Sequence, residues 1–112
     1  MSHMQKAEKP EIEKTSLNIT KEELARAYDE RFPVWMKEKL QNASVAVAGL
    51  GGLGSNIAVS LARSGVGHLL LIDFDVVDVT NLNRQMYLIP HLGIPKTQAL
   101  REILVQINPW LD

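Results

Sequence analysis

The chain has 112 residues, of which 46% are hydrophobic and 22% charged, and its formal net charge is -1. This is the size of one small domain with a globular core, and its near-neutral charge gives no reason to expect a general nucleic-acid binder or a membrane-surface protein. The absence of cysteine excludes a disulfide, a thiolate zinc site and a sulfur nucleophile. No apolar run is long enough to span a bilayer, so a cytoplasmic location is the expectation.

The chain divides into three parts by composition. Residues 1–17 are polar and rich in lysine and glutamate, which predicts a tag remnant and a mobile leader. Residues 18–43 are expected to form N-terminal helices, the first started by the capping box of Thr20 and Glu23. Residues 44–112 contain the glycine-rich and polar motifs of the chain and are expected to form an incomplete nucleotide-binding βαβ unit.

Two residues of the helical part attract attention. Trp35 is predicted to be a core anchor of the second helix rather than a stacking platform. Arg31 stands at the junction of the two helices and has two interpretations, a solvated cation favoured by the helix dipole or a phosphate contact. The three histidines have no partners at ligand spacing, so no metal ligand is predicted in this chain.

A strand, a glycine turn and a helix are predicted in succession from Ser44. The strand 44–48 is a near-continuous apolar run, typical of a central parallel strand covered on both faces. Gly49, Gly51 and Gly54 then satisfy G-x-G-x-x-G, in which one glycine allows the turn, one lets the backbone approach a phosphate and one lets helix and strand pack closely. The N-terminus of the following helix favours an anionic ligand, most simply a nucleotide phosphate.

A second buried strand, 69–72, ends at Asp73. An acid about 20 residues beyond such glycines is typical of a carboxylate that binds ribose hydroxyls. The simpler alternative is that Asp73 only starts a turn. The order of strand, glycine turn, helix, strand and acid nevertheless predicts a nucleotide-binding βαβ unit.

Polar side chains with long hydrogen-bonding groups follow this second strand. The stretch 74–85 contains Asp75, Asn81, Arg84 and Gln85, at the edge where open α/β sheets bind ligands. Farther along, the turn 93–96 places Lys96 at the start of a helix, where the dipole disfavours a cation. A bound polyphosphate would resolve that conflict.

Four sequence motifs follow one another along the chain: GLGGLGS at 49–55, DFD at 73–75, NLNRQ at 81–85 and GIPK at 93–96. With them the chain strongly resembles the ThiF/MoeB family, the bacterial relatives of ubiquitin-activating enzymes. The resemblance implies a Rossmann-like α/β fold with parallel strands and flanking helices. It also implies an adenylyltransferase that uses ATP and Mg²⁺ to activate the C-terminal carboxylate of a ubiquitin-like sulfur-carrier protein in thiamine or molybdopterin biosynthesis.

The resemblance also implies roles for residues of this sequence. The glycines Gly49, Gly51, Gly52 and Gly54 would hold the nucleotide and Asp73 the ribose. Asp75 would lie close to the reacting phosphate and metal, and Arg31 would reach the ATP of a neighbouring subunit in a homodimer. The phosphates would be bound by Asn81, Arg84, Gln85 and Lys96.

The family's principal magnesium-binding aspartate and its CxxC zinc pairs lie downstream of the stretch that matches this chain. The chain is therefore expected to be the amino-terminal half of a larger domain that binds nucleotide weakly and does not turn over in isolation. One alternative within the superfamily is a tRNA threonylcarbamoyladenosine dehydratase. Alternatives from other classes are an NAD-dependent dehydrogenase domain, which would leave Arg84 and Lys96 without a task, and a non-catalytic dimerisation module.

Overall fold

A computed structural model describes residues 18–112, so the expectation of a mobile leader at 1–17 lies outside the described residues. The helices are α1 (Lys21–Asp29), α2 (Val34–Asn42), α3 (Gly52–Arg63) and α4 (Lys96–Ile107), and the strands are β1 (Ser44–Ala48) and β2 (His68–Ile72). Two short 3-10 turns, Val79–Asn81 and Ile89–His91, lie between β2 and α4. The predicted succession of elements is present.

The N-terminal helices lie outside the main core. The Thr20 hydroxyl caps α1 by accepting from the Glu23 amide at 3.1 Å, as the capping motif predicts. The prediction that Trp35 anchors a core is wrong, because its side chain is 58% exposed and α2 has no buried residue. The Lys39 ammonium instead lies over its ring, 5.5 Å from the ring centroid.

The two strands pair in parallel, in a register that runs from Ser44 opposite His68 to Ala48 opposite Ile72. Helix α3 connects them and packs on β1 and α4, so β1, α3 and β2 form the predicted βαβ unit. The core lies on that face of the sheet. Its fully enclosed side chains include Leu50 and Leu100.

The second face of the sheet is open. Side chains alternate along β1, so that Val47 is buried while Ala46 and Ala48 are exposed, and Leu70 of β2 is 41% exposed. The prediction that β1 is covered on both faces is therefore wrong for this chain. Among residues 18–112 no helix packs on the open face. The apolar run of β1 is still explained, because alanine is tolerated on both the buried and the exposed face of a strand.

The free edge of β2 is partly paired by the segment that ends at Asp112. The Asp112 amide donates to Gly67 O at 3.0 Å and its carbonyl accepts from the Leu69 amide at 2.9 Å. This alternation of donor and acceptor on residues either side of His68 is the pattern of a parallel ladder. Within the described residues, no helix is long and apolar enough to cross a membrane.

Candidate nucleotide site

Two glycines shape the turn between β1 and α3. Gly49 has φ +86°, in the region that side chains other than glycine rarely adopt, and its amide donates to Ile72 O at 2.8 Å. A Cβ on Gly54 would lie only 1.7 Å from the Gly49 carbonyl oxygen. The first glycine thus permits the turn, and the last lets the first turn of α3 press against it.

The middle glycines have no such internal reason to lack a side chain. Gly51 has φ -78°, and a Cβ there would lie 3.8 Å from Gln85 Nε2, an ordinary contact. A Cβ on Gly52 would lie 3.4 Å from Arg84 Cγ. These two positions lie beside the side chains that follow β2, so the glycine turn and the polar segment 81–85 are neighbours at the carboxyl end of the sheet, where open α/β sheets have their ligand crevice.

Asp73 links the end of β2 to the glycine turn. Its Oδ2 accepts from the Leu50 amide and its Oδ1 from the Asp75 amide, each at 2.7 Å. Each of these bonds uses one acceptor position of a carboxylate oxygen, and an ionised carboxylate offers about four. The turn interpretation and the ribose interpretation of Asp73 are therefore compatible, because both oxygens keep acceptor capacity.

Tyr87 fixes the polar segment from beneath. Its buried hydroxyl donates to the Leu50 carbonyl at 2.7 Å. Burial, together with the nearby Asp73 charge, raises the pKa of Tyr87 well above its ordinary value of 10.0, so the phenol remains a donor. No sequence motif identified this residue, because its contact depends on how the segment folds back over the glycine turn.

Asn81 and Asp78 form a reciprocal cap on the 3-10 turn. The Asp78 amide donates to Asn81 Oδ1 at 2.8 Å, and Asp78 Oδ2 accepts from the Thr80 hydroxyl at 2.6 Å and the Thr80 amide at 3.1 Å. The Thr80 hydrogen bonds hold the pKa of Asp78 below its ordinary value of 3.8, with a smaller contribution from the Lys96 charge. Asn81 uses its oxygen internally, which leaves its NH₂ group as the donor that a ligand could use.

The two cations of the crevice differ in their surroundings. Arg84 is exposed, and its Nη1 donates to Asn83 Oδ1 at 3.1 Å and Thr80 O at 3.3 Å. Lys96 is only 7% exposed at the first position of α4, and its amide donates to Asp75 O at 2.9 Å. Among residues 18–112, no carboxylate lies within 4.0 Å of its ammonium group.

The polar groups of this crevice fit an anionic ligand. Gln85 is 7% exposed, and its Oε1 is buried with no hydrogen-bond partner among the described residues. Such an atom is rare in a folded protein and suggests a missing partner. A nucleotide would supply hydroxyl donors for oxygens and phosphate acceptors for the Lys96 ammonium and the α3 amides. The described residues contain no group of three or more His, Asp or Glu that could hold a metal ion.

Arg31 lies away from the glycine turn of its own chain. It is exposed, 5.5 Å from the Phe32 ring centroid, and lines a surface hollow of about 430 Å³ with Glu30 and Arg63. Arg63 ends α3, whereas the glycine turn begins it, and a helix of this length spans roughly 18 Å. Within one chain, Arg31 therefore does not reach the nucleotide site.

The fold and the crevice define a Rossmann-like α/β unit of the class that binds nucleotides at the carboxyl ends of parallel strands. Within that class the chain belongs to the ThiF family, whose model matches residues 23–112. This confirms the family to which the sequence motifs pointed.

Known proteins similar to the chain include enzymes of two kinds. The tRNA threonylcarbamoyladenosine dehydratase of Bacillus subtilis (strain 168) is 51% identical over 73 residues, which is 64% of this chain and 29% of that protein. The molybdopterin-synthase adenylyltransferase of Salmonella typhimurium (strain LT2) is 47% identical over 76 residues, 67% of this chain and 30% of that protein. This chain thus spans about a third of the length of these relatives.

A solved structure shares both fold and sequence with the chain. The Escherichia coli tRNA N6-threonylcarbamoyladenosine dehydratase in complex with ATP superimposes with a TM-score of 0.71 at 38% identity, over 74% of this chain and 35% of that one.

Proposed function

We propose that the full-length protein is a cytoplasmic ATP-dependent adenylyltransferase and that this chain supplies its ATP-binding half. The observation that carries the proposal is the buried Gln85 Oε1 beside the glycine turn, which has no hydrogen-bond partner among residues 18–112, together with Lys96, which is 7% exposed and has no carboxylate of those residues within 4.0 Å. Triphosphate oxygens would neutralise the ammonium, and nucleotide donors would satisfy the amide oxygen.

The chemistry of adenylation suits these side chains. Attack of a carboxylate on the α-phosphorus forms the acyl adenylate and breaks the bond to pyrophosphate, so negative charge builds on the phosphoryl and leaving oxygens. Arg84 and Lys96 supply fixed positive charge for those oxygens, and such preorganised donors are worth about 2 to 4 kcal/mol each in the transition state. The reaction needs no nucleophile from the protein, so the absence of cysteine is compatible with it. Magnesium, when bound, would neutralise phosphate charge beside Asp75.

Ligand binding by this chain tests the nucleotide directly. ATP with Mg²⁺ is expected to shift backbone amide NMR signals at the glycine turn, and the Lys96→Ala variant should lose most of that affinity while keeping its melting temperature. NAD is the matched ligand for the dehydrogenase alternative. Shifts at the turn with NAD and none with ATP would overturn the proposal.

We propose that the carboxylate belongs to the C-terminus of a ubiquitin-like sulfur-carrier protein. The near-neutral charge favours this choice over tRNA, because RNA contact usually brings a basic surface. The specific similarity to tRNA threonylcarbamoyladenosine dehydratases makes tRNA the second candidate. Adenylate formation by a protein of the relatives' full length that carries this chain should require the carrier. A requirement for tRNA instead would establish the second candidate.

We propose further that the protein is a homodimer in which Arg31 of one subunit contacts the ATP of the other. Arg31 is separated from the crevice of its own chain by roughly the length of α3, and this separation supports the arrangement. Mixing inactive Arg31→Ala and Lys96→Ala full-length proteins should restore about a quarter of the wild-type activity, since half of the dimers then hold one intact site. No recovery after subunit exchange would contradict a role across the interface.

A further inference from the structure

Asn56 lies in the first turns of α3 and is not part of any motif that the proposed function uses. Its side-chain amide donates to the Gly52 carbonyl at 2.6 Å and to the Arg84 carbonyl at 3.3 Å. One NH₂ group therefore joins the start of α3 to the segment that carries the exposed guanidinium.

We propose that Asn56 is a positioning residue that sets where Arg84 stands over the nucleotide crevice. This inference rests on the proposed function, because it concerns how that same site is held in register. Asn56 acts through the backbone carbonyl of Arg84 and not through a contact with the ligand.

Three hydrogen bonds hold the segment 84–87 against the glycine turn and the start of α3, and they differ in how deeply they are buried. Tyr87 donates to the buried Leu50 carbonyl at 2.7 Å, and the Met86 amide donates to the buried Ser55 hydroxyl at a long 3.4 Å. Asn56 holds the exposed end, at Arg84 itself. The Tyr87 and Met86 hydrogen bonds hold the segment as a whole. The Asn56 hydrogen bond holds Arg84, the residue whose side chain must point at phosphate.

The neighbourhood of Arg84 explains why its backbone placement matters. The side chain lies along Gly52, where a Cβ would meet Arg84 Cγ at 3.4 Å, and Nη1 donates to Thr80 O and Asn83 Oδ1. Both of those acceptors belong to the loop between β2 and α4 that also carries Arg84, so they do not connect Arg84 to α3. Among the hydrogen bonds of Arg84, the one to Asn56 connects it to helix α3. A displacement of about 1 Å at such a group is enough to weaken an aligned phosphate contact.

A ligand-free measurement tests the tie itself. In Asn56→Ala, ¹⁵N relaxation order parameters at 83–86 should fall from the rigid range of about 0.85 toward about 0.6, with the melting temperature nearly unchanged because Asn56 is exposed. Ser60→Ala, an exposed change one turn farther along α3, is the matched control and should leave the order parameters unchanged. Unchanged order at 83–86 in Asn56→Ala would overturn the proposal whether or not the chain binds ATP.

A double-mutant cycle tests the functional consequence. Asn56→Ala should weaken binding of ATP with Mg²⁺ about threefold to tenfold, as expected for one lost hydrogen bond, and by less than about twofold when Arg84 is already alanine. Equal losses in both backgrounds would show that Asn56 acts on ATP independently of Arg84 and would refute the inference. Absence of ATP binding by the wild-type chain counts against the proposed function instead.

Discussion

At the scale of single residues, Asp78 shows how a surface charge shapes the loop that borders the crevice. Its carboxylate accepts two hydrogen bonds from Thr80 while its amide donates to Asn81. Because hydrogen bonds from Thr80 favour the charged form, the pKa of Asp78 is lower in the folded chain than its ordinary value of 3.8. The stabilisation is therefore complete above that value and is lost as the pH falls through the folded pKa.

The Thr80→Val substitution should raise the pKa of Asp78 toward 3.8, because it removes the hydroxyl donor that contributes most to lowering it. The Thr80→Ser variant keeps a hydroxyl and should titrate as the wild type does. Carboxyl ¹³C chemical shifts followed between about pH 2 and 6 report the midpoint of Asp78 directly. A midpoint that is the same in the Thr80→Val variant and the wild-type protein would show that the hydroxyl does not hold the charge. The expected result is that Thr80 lowers the pKa of Asp78 through its hydroxyl as well as through its backbone amide.

The two ends of the glycine motif are expected to respond differently to alanine. Gly54→Ala places a Cβ against the Gly49 carbonyl, which would lie 1.7 Å away, and should cost about 3 kcal/mol or more in the free energy of unfolding. Gly51→Ala has room and should cost less than about 1 kcal/mol, yet weaken ATP binding by standing where phosphate approaches. Urea unfolding and ATP titration of both variants separate these effects. A Gly51→Ala chain with wild-type affinity would contradict the phosphate role.

At the scale of elements, the segment between β2 and α4 is held by buried contacts to the glycine turn. Tyr87→Phe removes the donor to the Leu50 carbonyl at the buried end of this segment, which should lower the free energy of unfolding by about 1 to 3 kcal/mol. Burial raises the pKa of Tyr87 above 10.0, so the wild-type chain should also lose stability as the pH rises beyond that value.

Urea unfolding at neutral pH and above pH 10.0, the ordinary pKa of a tyrosine, checks both expectations. The Tyr87→Phe variant should not show the part of the stability loss at alkaline pH that comes from ionisation of the Tyr87 phenol. The Tyr28→Phe variant removes a hydroxyl that donates to the Ile107 carbonyl outside the core. This variant should still show that stability loss at alkaline pH. If both variants lose stability with pH as the wild type does, the Tyr87 proton is not linked to folding.

The elements could be predicted where local signals agree. The predictions include the strand runs 44–48 and 69–72, the glycine turn and the helix that starts at Lys96. Each follows from spacing and chain chemistry, and all are present. Trp35 misled because an aromatic on a short helix does not reveal whether a core exists to receive it. The contacts of Asn56 and Tyr87 could not be predicted, since they depend on where the segment 84–87 crosses α3.

At the scale of the whole molecule, the sheet determines what this chain can do alone. It has two strands among the described residues, with one face open and Leu70 exposed on it. The groove between β2 and α4 leaves Arg101 Nε buried without a partner among residues 18–112. The chain matches about a third of the length of its relatives, and its described residues form a sheet of two strands.

The isolated chain should therefore fail to support the complete reaction even where it binds ATP. Exchange of labelled pyrophosphate into ATP, measured with Mg²⁺ and a ubiquitin-like carrier protein, is expected to stay at the level of the Lys96→Ala chain. The physical reason is that the chain matches only about a third of the length of its relatives, while Arg31 lies far from the crevice of its own subunit. Exchange above the Lys96→Ala background would mean that the glycine turn, Arg84 and Lys96 suffice for adenylation without the rest of the sheet.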